Sequence, residues 1–405
     1  MRNARGFVLA VAATLTMAVS YFDRQVLAAL APSVKEALHI SNQRYGWTVS
    51  AFSIAYLVAT PLAGRLIDAM GARRGLLYAF AAWTVVAALH ALVPSFGILF
   101  ALRIALGVAE APSFPGAAQA VQRALPPESR PRGFGLLFTG SSLGALVAPV
   151  AAVAIEHRYG FRVAFLVTAV AGLLWLPMWL VLTNDEHTRR LLGPHFEHRG
   201  PISGSIAHAV EGLLATLLNP SVLRASVVVV ASAPLASFVF NWTSSYLHDV
   251  HGIAQEDMGH YLWLPPLFFD AGALLFGFLA SAHRVRHTTP PRALLFAAAL
   301  ISTAMIGVLR SNVPWMTVTL FGVGLMGTGG LFAILTSDML SRVDHGVVSS
   351  ASGITAAAQS VAYLIANPLI GAARDASGGY RGSIVVLSFA ALPGALIWIL
   401  WKPKR

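Results

Sequence analysis

An acid and a base lie side by side in Tyr21-Phe22-Asp23-Arg24-Gln25, although residues 6–20 and 26–32 around them carry no charge. A second set, Arg103 and Glu110, sits in another apolar stretch. An ionised side chain at the centre of a bilayer costs about 2.5–3.5 kcal/mol on insertion scales, so four of them require compensation or a purpose. Arginine offers a permanently charged, planar fork that fits a carboxylate. A carboxyl group in a low-dielectric pocket is able to hold a proton near neutral pH. The chemistry therefore divides: Arg24 and Arg103 for an anion, Asp23 and Glu110 for protons. The four charges sum to zero, and adding one monovalent anion and one proton restores neutrality, the arithmetic of anion–proton symport. The competing reading is two structural ion pairs. Buried pairs often fail to recover their own desolvation cost, and ionisable groups within membranes mark substrate or proton paths by default.

Apolar helices must position these groups. On a helix Asp23 and Arg24 point about 100° apart, whereas Arg103 and Glu110, two turns apart, share a face about 10 Å along the axis. The 405 residues are 56% hydrophobic and 11% charged, against roughly 25% charged in soluble domains. The composition predicts an all-α integral membrane protein. With about 20 apolar residues per crossing, twelve stretches qualify: roughly 6–31, 46–67, 75–93, 96–121, 132–155, 161–182, 222–247, 259–282, 292–309, 313–336, 347–373 and 382–401. The polar segment 183–220 separates an N-terminal six-helix bundle, 1–182, from a C-terminal one, 221–405, and is expected to be cytoplasmic. With both termini inside, 18 Lys and Arg fall on the cytoplasmic side and 7 on the other, which favours that orientation. The stretch after Met1 resembles a signal peptide, but the Asp23-Arg24 interruption and the many later spans argue against that.

Several function classes fall away. The chain has no cysteine, so disulfides and thiolate chemistry are excluded. The net charge of +11 is spread through short loops, with no basic arm or motif for nucleic acid. Its 13 histidines are scattered, largely in loops, and no metal site or other cofactor is expected. No HExxH or phosphate-cradling GxxxxGK[ST] motif supports an enzyme. A receptor would more typically carry an extended cytoplasmic tail or domain, whereas Lys404-Arg405 stand just past the last span.

Around the charges, Tyr21 and Tyr56 offer hydroxyls suited to a polyhydroxylated ligand, with packing as the plainer alternative. Pro112, Pro115 and Pro149 interrupt hydrogen-bond ladders, and Gly140-Ser-Ser-Leu-Gly144 permits close helix approach. Gly64-Arg-Leu-Ile-Asp68 with Arg73 recurs as Gly277-Phe-Leu-Ala-Ser281 with Arg286, a degenerate match of the kind left by a parallel repeat.

The run Gly64-Arg-Leu-Ile-Asp68-Ala-Met-Gly71-Ala-Arg73-Arg74 resembles the loop signature of the major facilitator superfamily. Tyr21-Phe-Asp23-Arg24, Arg103-Ile-Ala-Leu-Gly107-Val-Ala-Glu110-Ala-Pro-Ser-Phe-Pro115-Gly and Gly140-Ser-Ser-Leu-Gly144-Ala-Leu-Val-Ala-Pro149 resemble its anion:cation symporter family, which includes hexuronate and galactonate permeases, sialin and vesicular glutamate transporters. The resemblance implies two six-helix bundles about a central cavity and transport by alternating access. It implies that Arg24 binds the substrate carboxylate, that Asp23 and Glu110 take up coupling protons and that Arg103 partners Glu110. By the same resemblance Tyr21 and Tyr56 line a sugar-acid pocket, and Gly64, Asp68, Gly71, Arg73 and Arg74 form a gating motif. The second half departs from the family: Ser244 stands where bacterial members have proline, and Ser352-Gly353-Ile-Thr355-Ala-Ala-Ala-Gln359-Ser360 lacks the usual asparagines. Gln359 and Asn367 are the substitutes expected to read the far end of the substrate.

The expected partners are a small organic anion and the lipid bilayer, not nucleic acid, with the chain acting as a monomer in a bacterial inner membrane. The coupling ion is H+, with Na+ as an alternative. A spinster-like carrier of lysolipids also pairs Asp-Arg with a later arginine and glutamate, but Phe114-Pro115-Gly116 and Gly140-Ser-Ser-Leu-Gly144 argue against it. A proton-driven metabolite or drug exporter is the third reading.

Overall fold

In the computed structural model the described residues are 2–126, 130–193, 215–286, 291–340, 342–343 and 348–401. Among them every regular element is helical. The first are α1 (Arg2–Ala29), α2 (Ala31–Ala37), α3 (Asn42–Leu89), α4 (Phe96–Glu110) and α5 (Ser113–Ala124). Then come α6 (Arg130–Gly172), α7 (Trp175–Leu182) and α8 (Glu186–Leu191). The later ones are α9 (Pro220–His251), α10 (Gly259–Leu262), α11 (Leu264–Arg286), α12 (Arg292–Ser302), α13 (Pro314–Leu340), α14 (Val348–Ser377) and α15 (Arg381–Leu400). Most of the expected central loop, residues 194–214, lies outside the described residues.

Ten stretches among the described residues are long and apolar enough to cross a membrane, not the expected twelve. Two places account for the difference. The spans expected at 132–155 and 161–182 share one stretch, Thr139–Leu182, in which the non-helical backbone of Gly160 (φ 80°, ψ 164°) divides two helical segments. The span expected at 46–67 lies in the first half of α3, which includes Pro61, Arg65 and Asp68, side chains outside the described ones. The non-helical backbone of Gly71 (φ 76°, ψ 155°) likewise divides α3 into two helical segments.

The chain divides into two compact units, Met1–Glu197 with Ser244–Trp263, and His198–Thr243 with Leu264–Arg405. The first is built on aromatic packing. Phe80 stacks on Trp175 at 4.5 Å and Trp175 on Trp179 at 5.1 Å, and the Trp175 indole donates to the Ala12 carbonyl at 2.9 Å, tying α7 to α1. Small residues then bring the charged segments together. A Cβ at Gly144 on α6 would collide with the Ala18 carbonyl on α1, and one at Gly107 on α4 with the Phe52 carbonyl on α3. Such contacts are how apolar helices associate where lipid removes the hydrophobic drive. The Ser244–Trp263 segment joins this unit where the Ser244 hydroxyl and the Gln255 amide each donate to the Ala29 carbonyl at 2.9 Å.

The second unit packs Phe276, Leu331, Ile334 and Trp398 into its own core. Arg224, on the first turns of α9, pairs with Asp338 of α13 and lies over the Trp398 ring at 4.1 Å. Arg342 holds the same carboxylate at 3.0 Å.

Candidate anion and proton site

The site side chains converge within the first unit from α1, α3 and α4. Arg24 Nε donates to Glu110 Oε2 at 2.9 Å, and Ser20, one turn before Arg24, donates its hydroxyl to the same oxygen at 2.7 Å. Glu110 is the last residue of α4, before the break at Pro112. Its side chain is wholly buried, while that of Arg24 remains 17% exposed. The pair is end-on, so each partner keeps unused capacity: Glu110 Oε1 and Arg24 Nη2 have no hydrogen-bond partner.

Three rings hold the Arg24 guanidinium, with centroids 4.8 Å away for Tyr21, 4.7 Å for Phe52 and 4.6 Å for Tyr56. Phe52 and Tyr56 themselves stack at 5.8 Å. Each cation–π contact is worth about 0.5–2 kcal/mol, more as the cation is dehydrated. The cage therefore offsets part of the cost of drying the cation and fixes the plane of its fork.

Arg103 is buried. Among the described residues it forms no ion pair within 4.0 Å, and its Nε has no partner. Its guanidinium lies 4.9 Å from the Phe52 ring, with Glu110, Tyr45, Arg24 and Asp23 among its charged or polar neighbours. The residue in contact with Glu110 is thus Arg24, and Arg103 stands behind it. Asp23 is also buried and forms no ion pair with its sequence neighbour Arg24. Glu110, Trp83, Arg103 and Arg24 are the groups that act on it, without an ion pair.

The remaining expected residues make other contacts. Gly71 turns α3 where Leu192 and Gly193 press against it, so a Cβ would strike their backbone. Arg73 donates from Nε to the Thr183 carbonyl at 2.9 Å and from its backbone to the Leu192 carbonyl at 3.2 Å. Arg74 is exposed, and nothing stands within 4 Å of where a Gly64 Cβ would be. The side chains of Asp68, Ser281 and Arg286 lie outside the described ones. Gln359 and Asn367 belong to the second unit. Gln359 donates to the Tyr363 hydroxyl at 3.1 Å. Asn367 is fully buried, accepting from Ser237 and from the Trp242 indole at 3.0 Å each, so its carbonyl fastens α14 to α9.

Sequence reasoning missed Ser20 and Phe52. Both were within reach of a helical rule: Ser20 is four residues before Arg24 and Phe52 four before Tyr56, so each shares a face with a residue already singled out.

The family model described as Major Facilitator Superfamily matches residues 13–367. A hexuronate transporter of Escherichia coli K12 is 27% identical over 425 residues, covering 100% of this chain and 95% of its own length. A galacturonate transporter of Dickeya chrysanthemi is 29% identical over 272 residues, 66% of this chain and 79% of its own. Among solved structures, a bacterial homologue of the human lysosomal transporter Spinster superposes with a TM-score of 0.81 at 15% identity, covering 99% of both chains.

Proposed function

Since this chain belongs to the Major Facilitator Superfamily, and is therefore a membrane transporter and not an enzyme, we propose that it is a proton-coupled symporter of a small organic anion. The substrate class is a sugar acid, a hexuronate or hexonate. The observation that carries this reading is the end-on Arg24–Glu110 pair inside an aromatic cage. An incoming carboxylate meets Arg24 first, because Arg24 is partly exposed and Glu110 is not. Its oxygens compete with Glu110 for the guanidinium, since a planar fork favours bidentate carboxylate contact. Glu110 then loses its charged partner in a dry site and takes a proton, for which Oε1 has no other partner. Anion and proton enter together, the charge of the site is restored, and alternating access delivers both. Tyr21 and Tyr56 have rings on the cation and hydroxyls for sugar oxygens. Asp23, with Arg103 beside it, is the second proton carrier. The names of the sequence relatives support the sugar-acid class.

For topology, we propose twelve crossings in two bundles, with both termini in the cytoplasm of a bacterium and the chain in its inner membrane as a monomer. The 44-residue stretch Thr139–Leu182 extends about 66 Å at 1.5 Å per residue, twice what one crossing of about 30 Å needs. Gly160 is its turning point, and the first half of α3 supplies the remaining crossing. The Gly71 loop with Arg73 is the gating element.

The test is flux into proteoliposomes of purified protein. An inwardly directed proton gradient should drive accumulation of galacturonate or glucuronate. No pH-dependent uptake across hexuronates, hexonates and aromatic acids would sink the reading. The Spinster likeness, at 15% identity, speaks for the fold alone. Uptake of lysolipids in the same vesicles would support that second reading.

A further inference from the structure

Beside Asp23 the first unit contains a small cavity to which the mechanism above gives no role. It offers about 10 Å³ to the centre of a water molecule and is lined by Asp23, His90, Arg103, Thr168 and Phe165, among others. One buried water needs roughly 10–15 Å³ and two to four polar partners. Four of these side chains are polar, and they come from four elements: Asp23 from α1, Arg103 from α4, Thr168 from α6 and His90 from the turn after α3. His90 opens the short 3-10 turn, His90–Leu92, that follows α3.

His90 is 2% exposed. Its Nδ1 lies 2.9 Å from the Val86 carbonyl, which only accepts, so Nδ1 carries the proton. In the neutral ring Nε2 is then a lone pair. That nitrogen is buried and has no hydrogen-bond partner. Phe165 packs on the ring at 5.5 Å and holds its orientation. The charged or titratable groups that face His90 across the cavity are Arg103 and Asp23; α6 presents only Phe165 and Thr168 there. A satisfied core histidine would use both nitrogens, and this one uses one.

We propose that His90 is the proton-transfer residue of Asp23, acting through a single water held between Asp23, Arg103, Thr168 and His90 Nε2. Protonated Asp23 gives its proton to the water while the water gives one to Nε2, leaving carboxylate, water and imidazolium; the return path reverses each step. With both termini inside, His90 lies at the outer end of its span, so the step carries the Asp23 proton toward the outer face and away from the Arg24–Glu110 pair. This role rests on the proton-coupled reading, but its test requires no substrate.

The carboxylic-acid C=O infrared band that disappears in Asp23→Asn reports protonation of Asp23 in the purified protein. After a pH step without any anion, that band should form at least tenfold more slowly in His90→Gln, which keeps a hydrogen-bonding side chain but cannot relay a proton. The final band should keep its wild-type position. Imidazole added to His90→Ala should restore the rate. Thr168→Val, nearly isosteric, is a second variant and should also slow band formation. Wild-type rates in both His90→Gln and Thr168→Val would overturn the relay, as would a shifted final band with an unchanged rate. Vesicle flux judges the symport reading separately: a sugar-acid symporter with wild-type infrared rates in both variants loses only the relay.

Discussion

Arg24 gives one nitrogen to Glu110 and keeps another, Nη2, unpaired beside three aromatic rings. Two substitutions separate the functions of the pair. Arg24→Ala removes the fork and leaves Glu110 buried alone, a loss of about 2–5 kcal/mol. The protein should then show no thermal shift with galacturonate, since only a ligand that binds the folded state stabilises it. Arg24→Lys keeps the charge but not the planar geometry, and galacturonate binding should be weakened at least tenfold rather than abolished. Unchanged affinity in Arg24→Ala would remove the carboxylate assignment. Glu110→Gln keeps the shape of the acceptor for Ser20 and Arg24 but cannot take a proton. Its uptake should no longer respond to an imposed proton gradient, while counterflow exchange of labelled sugar acid remains measurable. Most of the participants at this scale were legible in the sequence, because charge in an apolar run is expensive enough to be conspicuous. The pairing was not legible. Arg103 and Glu110 share a face of one helix, yet the residue that reaches Glu110 comes from α1.

Glycines at two helix breaks make contrasting predictions at the scale of the element. Gly71 and Gly160 both adopt positive φ, and a residue with a Cβ in such a conformation costs about 1–3 kcal/mol. At Gly71 a Cβ also strikes the backbone of Leu192 and Gly193, whereas at Gly160 nothing lies within 4 Å. Gly71→Ala should therefore lower the melting temperature more than Gly160→Ala does, and should loosen the segment that Arg73 and Arg123 hold through the Thr183 and Gly193 carbonyls. The start of α8 offers a pH test. Asp185 caps it by accepting from the Thr188 amide at 3.1 Å, and hydrogen bonds from Thr188, side chain first, hold its carboxyl below its ordinary value of 3.8. A carboxyl lowered in the folded state adds stability that is complete above the unfolded value and is lost as pH falls through the folded one. The cap should thus persist at neutral pH and fail only below about pH 3.8. Asp185→Ala should cost about 0.5–2 kcal/mol at pH 7 and nothing further in acid, measured as melting temperature against pH.

For the whole molecule, the excess of Lys and Arg on one side predicts the topology. A fluorescent protein fused after Arg405 should fluoresce in cells, and alkaline phosphatase fused there should be inactive. Phosphatase inserted near Gly160 should be active. The reverse pattern would invert the orientation and place the His90 relay on the cytoplasmic side.

The sequence by itself determined the class. Apolar runs of crossing length leave the backbone no choice but helix, since lipid offers it no other hydrogen-bond partners, and four charges within such runs mark where a site is to be sought. It also located helix breakers, because glycine and proline act locally. Contacts between distant segments were decided only by the tertiary structure. Gly107 and Gly144 set how closely α4 approaches α3 and α6 approaches α1, and in that packing Arg24 of α1 pairs with Glu110 of α4. Asn367 shows the same limit from the other side. Its type and position suggested a ligand, but packing gave its carbonyl to Ser237 and Trp242. His90, one of 13 scattered histidines, had no local mark at all, because a nitrogen without a partner is a property of its surroundings.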